Sequence, residues 1–598
     1  MKLSRVTQFC EKRTKDINGR PVAVIDTPGL FETRRSEKEV IREILQSVSL
    51  YRPGPHVFVV VIPLGRLTLE DKGTNSLIES TFGRRVWDFT IVLFTHGDQL
   101  EGKTLNDVIA SGDEELREFI RRCSGGFLVF NNKDMGDREQ VAKLLEKVET
   151  LVALNGNQCY RSHLYPKQER RIRERQERIL AERDKDIARK EKTLEEHYDG
   201  EELERRRREL WRKEEMEARK MSQVLPMKTQ VGIIIVISLV ATAIFGPVGM
   251  LTGIFLLMIT VFARVLSAVL HCLDSFSVHH QMFTHRHTPT SAIDQPTSHK
   301  ASSHTSNWTF LLFNKLELCN IYFISPSGRH VSGAEMEEWR IMLLGRRGVG
   351  KSSTGNTILR QIAFPVNMSL GRITQFCDRK NGTVDGRPVA VIDTPGLKNG
   401  KGDEKKVIRE ILKNISLYKP GPHVFLIVLP IGNLTQDDIR VHKIIEGMFG
   451  KKVWRYAVLL FTHGDSLDGN AQNDVISGAD KELRKLIRKC TGGFVVFNNK
   501  DMANRAQVTL LMERIETMLA VNGNTFYPTK FYPRCERKIR ERQEKHMEER
   551  AEDIAQRERQ VEDLYSGDEL EEKRLELLRS IDEELRTLAE NPPKFKKH

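Results

Sequence analysis

The sequence predicts an α/β chain built on a doubly wound parallel sheet, and three observations carry that reading. An apolar run, Ile341-Met342-Leu343-Leu344, leads straight into Gly345-Arg346-Arg347-Gly348-Val349-Gly350-Lys351-Ser352. A second run, Val389-Ala390-Val391-Ile392, ends in Asp393-Thr394-Pro395-Gly396. Two more apolar runs, 456–461 and 494–497, come later in the chain, and helix-spaced apolar positions fall between the runs at Ile358-Leu359 and over 404–417. Parallel strands covered on both faces read as continuous apolar segments, and their alternation with helices places a ligand at the strands' carboxyl ends.

Self-similarity organises the whole chain. RPVAVIDTPGL at Arg20 returns at Arg387, GPHVF at Gly54 returns at Gly421, FTHGD at Phe94 at Phe461, and FNNKDM at Phe130 at Phe497, every pair 367 positions apart. The register persists into charged tails, where IRERQE at Ile172 returns at Ile539. A repeat of this kind means one supersecondary plan used twice. Met1 aligns with Met368, so the counterpart of 341–367 is not found in copy one. The sequence therefore divides into a truncated domain without a phosphate loop (1–160), a charged helical tail (161–228), an apolar segment (229–270), a low-complexity linker (271–337), an intact domain (338–530) and a second charged tail (531–598). Copy one is expected to lack its first, normally central, strand; a missing upstream exon is the rival explanation. Trp308 to Arg340 shows no clear pattern.

The pattern G-x-x-x-x-G-K-S after a strand is a phosphate-binding loop in its required context. Its glycines let backbone N–H groups of Gly345, Arg346, Arg347, Gly348, Val349, Gly350 and Ser353 wrap phosphates, helped by the positive end of the next helix. Lys351 is expected to reach the β- and γ-phosphates, and the Ser352 hydroxyl to ligate Mg²⁺. Asp393 is expected to hold Mg²⁺ through water, and Gly396 N–H to sense the γ-phosphate. After the next strand, Thr462-His463-Gly464-Asp465 offers a carboxylate that accepts two hydrogen bonds from guanine, which adenine cannot supply. Asp465 thus selects GTP/GDP over ATP; His463 stands where most GTPases place a lysine. Asn498 and Asn499 are expected to complete the base pocket. Each motif alone also occurs in ordinary strand-ending turns; together, at these distances, they do not.

Taken together, G-R-R-G-V-G-K-S-S-T-G-N-T-I-L, I-T-Q-F-C, V-I-D-T-P-G-L, F-T-H-G-D and F-N-N-K resemble the GTPases of immunity-associated proteins, over 341 to about 575 and, truncated, over 1 to about 210. The resemblance implies a Ras-like core with an extra helical region, GTP and Mg²⁺ binding, homo- or hetero-oligomerisation through the G domains, and membrane association. It makes Thr374 the candidate switch threonine on Mg²⁺. It also implies that an arginine of a G-R-x-T box is lent to a facing subunit. Copy one has that box as Gly65-Arg66-Leu67-Thr68, whereas copy two reads Gly432-Asn433-Leu434-Thr435. Arg66 is therefore expected to complete the site of copy two, in the same chain or a neighbour. A solvated surface residue in a decaying domain is the plainer alternative. Leu397, after D-x-x-G, cannot orient a water as glutamine would, so turnover is expected to be slow.

Between the copies, Val231 to Ala263 runs 33 residues without a charge. A continuous helix of that length is about 50 Å, well beyond a hydrocarbon core of about 30 Å. Gly246-Pro247 at its middle favours a break, hence a membrane hairpin that keeps both copies in the cytosol. A single tilted span is the alternative. Arg219, Lys220 and Lys228 fit a cytosolic flank.

Charge separates the partner classes. The formal net charge of +13 favours an acidic partner, yet basic residues in the tails alternate with acids, as in Glu204-Arg205-Arg206-Arg207-Arg208-Glu209, which argues against nucleic acid, while the first tail runs into the apolar segment and is expected to reach membrane lipid. The tails are expected to be solvated helices, with a coiled-coil contact as the second choice. Met1 to Asp16 has no apolar signal-peptide core, and eight scattered cysteines form neither a disulfide framework nor a zinc pattern. Three functions fit these residues: a slow, membrane-associated GTPase switch; a non-catalytic GTP-dependent scaffold; and, if Asp465 is discounted, a P-loop ATPase.

Overall fold

A computed structural model describes residues 9–17, 19–30, 36–64, 70–223, 308–314, 337–365, 374–397, 403–432, 434–467 and 471–591. The first of its two sheets contains β1 (Glu11–Ile17), β2 (Arg20–Asp26), β3 (Val57–Pro63), β4 (Thr90–Thr95), β5 (Phe127–Val129) and β6 (Trp308–Asn314), in the order β1-β2-β6-β3-β4-β5. The second contains β7 (Trp339–Leu344), β8 (Asp378–Val384), β9 (Arg387–Asp393), β10 (Val424–Pro430), β11 (Ala457–Thr462) and β12 (Phe494–Val496), in the order β12-β11-β10-β7-β9-β8. Only the β1–β2 and β8–β9 edges are antiparallel.

In copy one, helices α1 (Glu37–Gln46), α2 (Glu70–Phe82), α3 (Leu105–Ser111), α4 (Glu114–Arg122) and α5 (Glu139–Leu154) flank the sheet, and α6 (Lys167–Glu182), α7 (Asp184–His197) and α8 (Gly200–Gln223) form the tail. Copy two repeats the plan with α10 (Asp403–Lys413), α11 (Gln436–Phe449), α12 (Ala471–Ser477), α13 (Lys481–Lys489), α14 (Ala506–Val521), and a tail of α15 (Arg534–Glu549), α16 (Ala551–Leu564) and α17 (Gly567–Glu590). It adds α9 (Lys351–Leu359) directly after β7. All six residues of β7 are buried, as expected of a central strand with helices on both faces.

The expectation that 308–314 is patternless linker is corrected by the sheet. β6 lies between β2 and β3, parallel to both, with Trp308 opposite Val22 and Phe310 opposite Val57. In copy two Trp339 lies opposite Val389 and Ile341 opposite Val424. Since Val22 and Val389, and Val57 and Val424, are repeat equivalents, β6 occupies the place of β7 in the same register. The physical reason is hydrogen bonding: with that place empty, β2 and β3 would each present an unpaired row of N–H and C=O groups inside the domain. Trp308-Thr309-Phe310-Leu311-Leu312-Phe313 is rich in β-formers and supplies the partner.

The tails also depart from expectation, because in both copies they fold back onto their own domain. Arg586 donates twice to Glu536, at 2.6 and 2.8 Å, and the equivalent Arg219 donates twice to Glu169, at 2.9 and 2.8 Å. Gln543 Nε2 donates to Lys413 O, as Gln176 Nε2 does to Gln46 O. Ile581, Leu585 and Ala589 are buried with Asp582 and Arg540. Alternating charges thus satisfy one another inside a helical packing layer, where a pattern reading sees only solvated faces. Among the described residues no helix is long and apolar enough to cross a membrane. The run 231–263, on which the membrane reading rests, lies outside the described residues.

The two domains meet with pseudo-twofold symmetry. α3 packs on α14, and α12, the counterpart of α3, packs on α5. Arg121 Nη1 donates to Val521 O at 2.6 Å, and its equivalent Arg488 donates to Leu154 O at 2.8 Å. Leu154 joins the core of domain two while Val521 joins that of domain one. Arg455 adds an ion pair to Glu118 at 2.9 Å.

If β6 holds the first sheet together, Leu311→Pro removes a backbone donor from its centre. Hydrogen exchange should then show β2 and β3 losing protection while β9 and β10 keep theirs; unchanged protection in β2 and β3 would refute the role assigned to this strand.

Candidate nucleotide site

The site begins where β7 stops. Gly350 has φ +92° and sits against Thr462 and Asn499, so it allows the loop to turn into α9 without a side chain in the way. Opposite, a Cβ on Gly396 would lie 2.5 Å from Arg347 Cα, so the D-x-x-G segment can touch the loop only through glycine. Leu397 N–H then donates to Gly345 O at 3.1 Å, locking the two loops together.

Lys351 is buried and lies across the loop, donating to Arg346 O at 3.1 Å and Gly345 O at 3.4 Å. Burial holds its ammonium down to about 8, partly offset by the charge of Asp393. Ser352 Oγ donates to Asp393 Oδ2 at 2.6 Å, Thr374 Oγ1 donates to the same oxygen at 3.3 Å, and the two hydroxyls are 3.5 Å apart. Asp393 Oδ1 is buried without a hydrogen-bond partner, and burial raises this carboxyl above its ordinary range. An orphaned carboxylate oxygen beside two hydroxyls is a hard-oxygen set of the kind Mg²⁺ takes. The three residues singled out for metal therefore do converge.

The base end is held separately. Thr462 Oγ1 donates to Val349 O at 3.0 Å, joining β11 to the phosphate loop. His463 turns the chain in the left-handed region, φ +67°, and its Nδ1 lies 3.0 Å from Thr462 Oγ1. Asp465 comes next, part-exposed, with Lys500 Nζ at 2.6 Å holding its carboxyl below the usual range. Asn498 Oδ1 accepts from Lys500 N. Asn499 does something the motif did not announce: Nδ2 donates to Thr354 Oγ1 at 3.1 Å and Oδ1 accepts from Thr357 Oγ1 at 2.9 Å. It braces α9, so the base loop and the phosphate loop form one body.

Two other contributors carry no sequence motif of their own. Arg346 Nε lies 3.1 Å from Asp438 Oδ1, and Asp438 is buried at the start of α11, where it also accepts from Thr435. Thr394 Oγ1 donates to Leu343 O at 2.6 Å, tying β9 to β7. The only signal for Asp438 is the Thr435-x-x-Asp438 capping box, which marks a helix start rather than a loop anchor.

Copy one keeps the base-side geometry, with Lys133 Nζ 2.5 Å from Asp98 and His96 at φ +63°. Its central strand leads into a different sequence. In the β6–β7 register, Asn314, Cys319, Asn320 and Ile321 stand where copy two has Gly345, Gly350, Lys351 and Ser352. Arg66 lies outside the described residues. The described contacts between the domains run through α3, α4 and α5, their counterparts α12, α13 and α14, and Arg455 just before β11, not through the phosphate loop.

Because Asn499 bonds two hydroxyls on α9, Asn499→Ala should lower the stability of the ligand-free protein by roughly 1–3 kcal/mol, the usual cost of orphaning buried polar groups. A thermal or denaturant midpoint for the ligand-free protein that does not move would leave Asn499 as a base contact only.

Comparison with known proteins agrees with this geometry. The chain matches the AIG1 family over residues 1–179 and 339–549. It is 25% identical over 524 residues to "GTPase IMAP family member 8" of Homo sapiens, covering 87% of this chain and 58% of that one. Identity to the Rattus norvegicus protein of the same name is 24% over 578 residues, covering 83% and 81% of the two chains. Identity to "Immune-associated nucleotide-binding protein 9" of Arabidopsis thaliana is 29% over 259 residues, 42% of this chain and 72% of that one. With both of its domains matched, this chain belongs to the AIG1 family.

Proposed function

We propose that domain two binds GTP with Mg²⁺ and that the chain acts as a membrane-associated, GTP-dependent switch or oligomerising scaffold with slow hydrolysis. The observation that carries this reading is the convergence of Lys351, Ser352, Thr374 and Asp393 at the ends of β7 and β9, beside the Asp465 loop of β11. Lys351 would leave the carbonyls of Gly345 and Arg346 for the β- and γ-phosphates, and the first turn of α9 would present its free N–H groups to them. Ser352, Thr374 and Asp393 would hold Mg²⁺, which supplies charge neutralisation on the phosphates. Asp465 would accept from the guanine edge, its position fixed by Lys500. The relatives named as GTPases support the same nucleotide.

Slow turnover is supported by Leu397, whose side chain is buried in the core with 1% exposure and offers nothing to a water. A non-catalytic scaffold is the second reading on the same observation. The domain contacts favour a neighbouring chain as the source of Arg66, since they leave the phosphate loop uncovered by the described part of domain one.

The test is binding and turnover of GTP and ATP by the full chain. GTP should bind, ATP should not, and Lys351→Ala should abolish binding. Lys351 gives a signed pH effect. Held near 8 in the free protein, it is largely neutral at pH 9 and is recharged by phosphate, so calorimetry in buffers of different ionisation heat should find proton uptake at pH 9 that vanishes by pH 6.5. Turnover should rise with protein concentration, and flatten in Arg66→Ala. Equal binding of ATP, or binding that survives Lys351→Ala, would overturn the assignment.

For the membrane, a hairpin is supported by where the flanks of the 231–263 run end up. α8 precedes the run and packs on α6 and α1, while β6 comes after it and pairs with β2 and β3 of the same domain. Both flanks therefore belong to one folded body, which supports the reading that the segment would enter and leave from one side, with the G domains facing the cytosol. The sequon Asn307-Trp308-Thr309 should stay unglycosylated in cells, and a glycosidase that shifts the protein's size would establish the single span instead.

A further inference from the structure

We propose that the cleft between the two domains binds a small phosphate-class dianion, bridged between Lys147 of α5 and Arg514 of α14. The two residues are repeat equivalents, 367 positions apart, and the pseudo-twofold that docks α3 on α14 and α12 on α5 brings both to one cleft of about 650 Å³. Neither forms a hydrogen bond or ion pair within the described residues, and Arg514 Nε is buried without a partner.

Two part-buried like charges lining one cleft are unfavourable unless something neutralises them. The charges are felt: burial, then repulsion from Arg514, holds Lys147 down to about 8, and burial lowers Arg514 too. The carboxylates nearby do not resolve this. Glu146 attracts both residues and Glu513 attracts Arg514, neither closing a bridge and both exposed, and Glu139 is engaged with Lys143 at 2.7 Å. The other cations of the cleft, Arg121 and Arg488, are held on Val521 O and Leu154 O. A tetrahedral oxyanion fits what is left, because it has its own twofold axis and offers opposed oxygens to an ammonium and a guanidinium. The volume leaves room for a small ester group as well as for water. The exposed carboxylates disfavour an extended polyanion.

The site is separate from the phosphate loop, so it is testable whether or not domain two binds GTP. Inorganic phosphate, and separately glycerol 3-phosphate, should be titrated calorimetrically into full-length Lys351→Ala protein, in which the phosphate loop is disabled. One site is expected, weakened at least tenfold by Lys147→Met or Arg514→Met and retained by the charge-keeping Arg514→Lys, which separates loss of charge from loss of docking. Binding of both probes identifies free phosphate as sufficient, and binding of the ester alone identifies a phosphomonoester. No saturable binding of either probe at millimolar concentration, or binding indifferent to both methionine variants, overturns the proposal.

Discussion

Everything in this molecule depends on one requirement of parallel sheets: an interior strand must be hydrogen-bonded on both edges. β10 and β9 satisfy it through β7, and β3 and β2 satisfy it through β6. The two solutions share register but not consequence. β7 runs on into glycines, a lysine and the positive end of α9, so the strand that completes the sheet also launches the phosphate loop. β6 completes its sheet and continues into Lys315-Leu316-Glu317-Leu318-Cys319, which has no glycine to turn the backbone around a phosphate. Fold and site are therefore separable in this chain. The pairing requirement acts on backbone atoms alone, whereas phosphate binding needs particular side chains and particular φ angles.

The same separation explains why so much of the site is brace rather than contact. Asn499 ties its loop to α9, Thr462 ties β11 to the phosphate loop, Thr394 ties β9 to β7, and Asp438 at the start of α11 pairs with Arg346 of the phosphate loop. Loops at the end of a sheet have few apolar contacts to fix them, so their relative positions must come from such bonds. Lys351 lies in a dehydrated place on the fixed carbonyls of Gly345 and Arg346, with the charge of Asp393 partly offsetting the cost of its burial. A site held in this way resists reorganisation when a highly charged ligand arrives, which is how electrostatic preorganisation works.

Much of this was legible in the residues. The four apolar runs, the phosphate loop with Ser352, Asp393 and Asp465 all stood at readable spacings, because each lies on or just after a strand end and strand ends are fixed by short-range pattern; Thr374, which precedes β8, was indicated only by the family resemblance. Three things were not. β6 starts 245 positions after the end of β3 and 282 after the end of β2, the strands it pairs with, and reads as one apolar patch in a polar linker, so only the vacancy in the distant sheet identifies it. The tails present Arg and Glu in alternation, which pattern analysis assigns to solvent; the burial of Arg586 on Glu536 needs the fold before the pair can be seen. Asn499 reads as a base contact because it follows Asn498 in the same loop, while its partners Thr354 and Thr357 sit 142 to 145 positions away.

Duplication also fixes how the two domains meet. When one surface is present twice in a chain, a self-complementary contact can form within it, and each interaction then appears twice. Arg121 on Val521 O and Arg488 on Leu154 O are that doubling, and the exchange of Leu154 and Val521 between cores makes the contact apolar at its centre. An isologous face used internally is no longer available to a second chain. Assembly between chains would then have to use other surfaces, and the described surface around the phosphate loop, Asp393 and Asp465 is left uncovered by this contact. Copy one thus need not bind a nucleotide to matter: by occupying the α12–α14 face of domain two, it withdraws that face from any association between chains and leaves the described surface around the phosphate loop open.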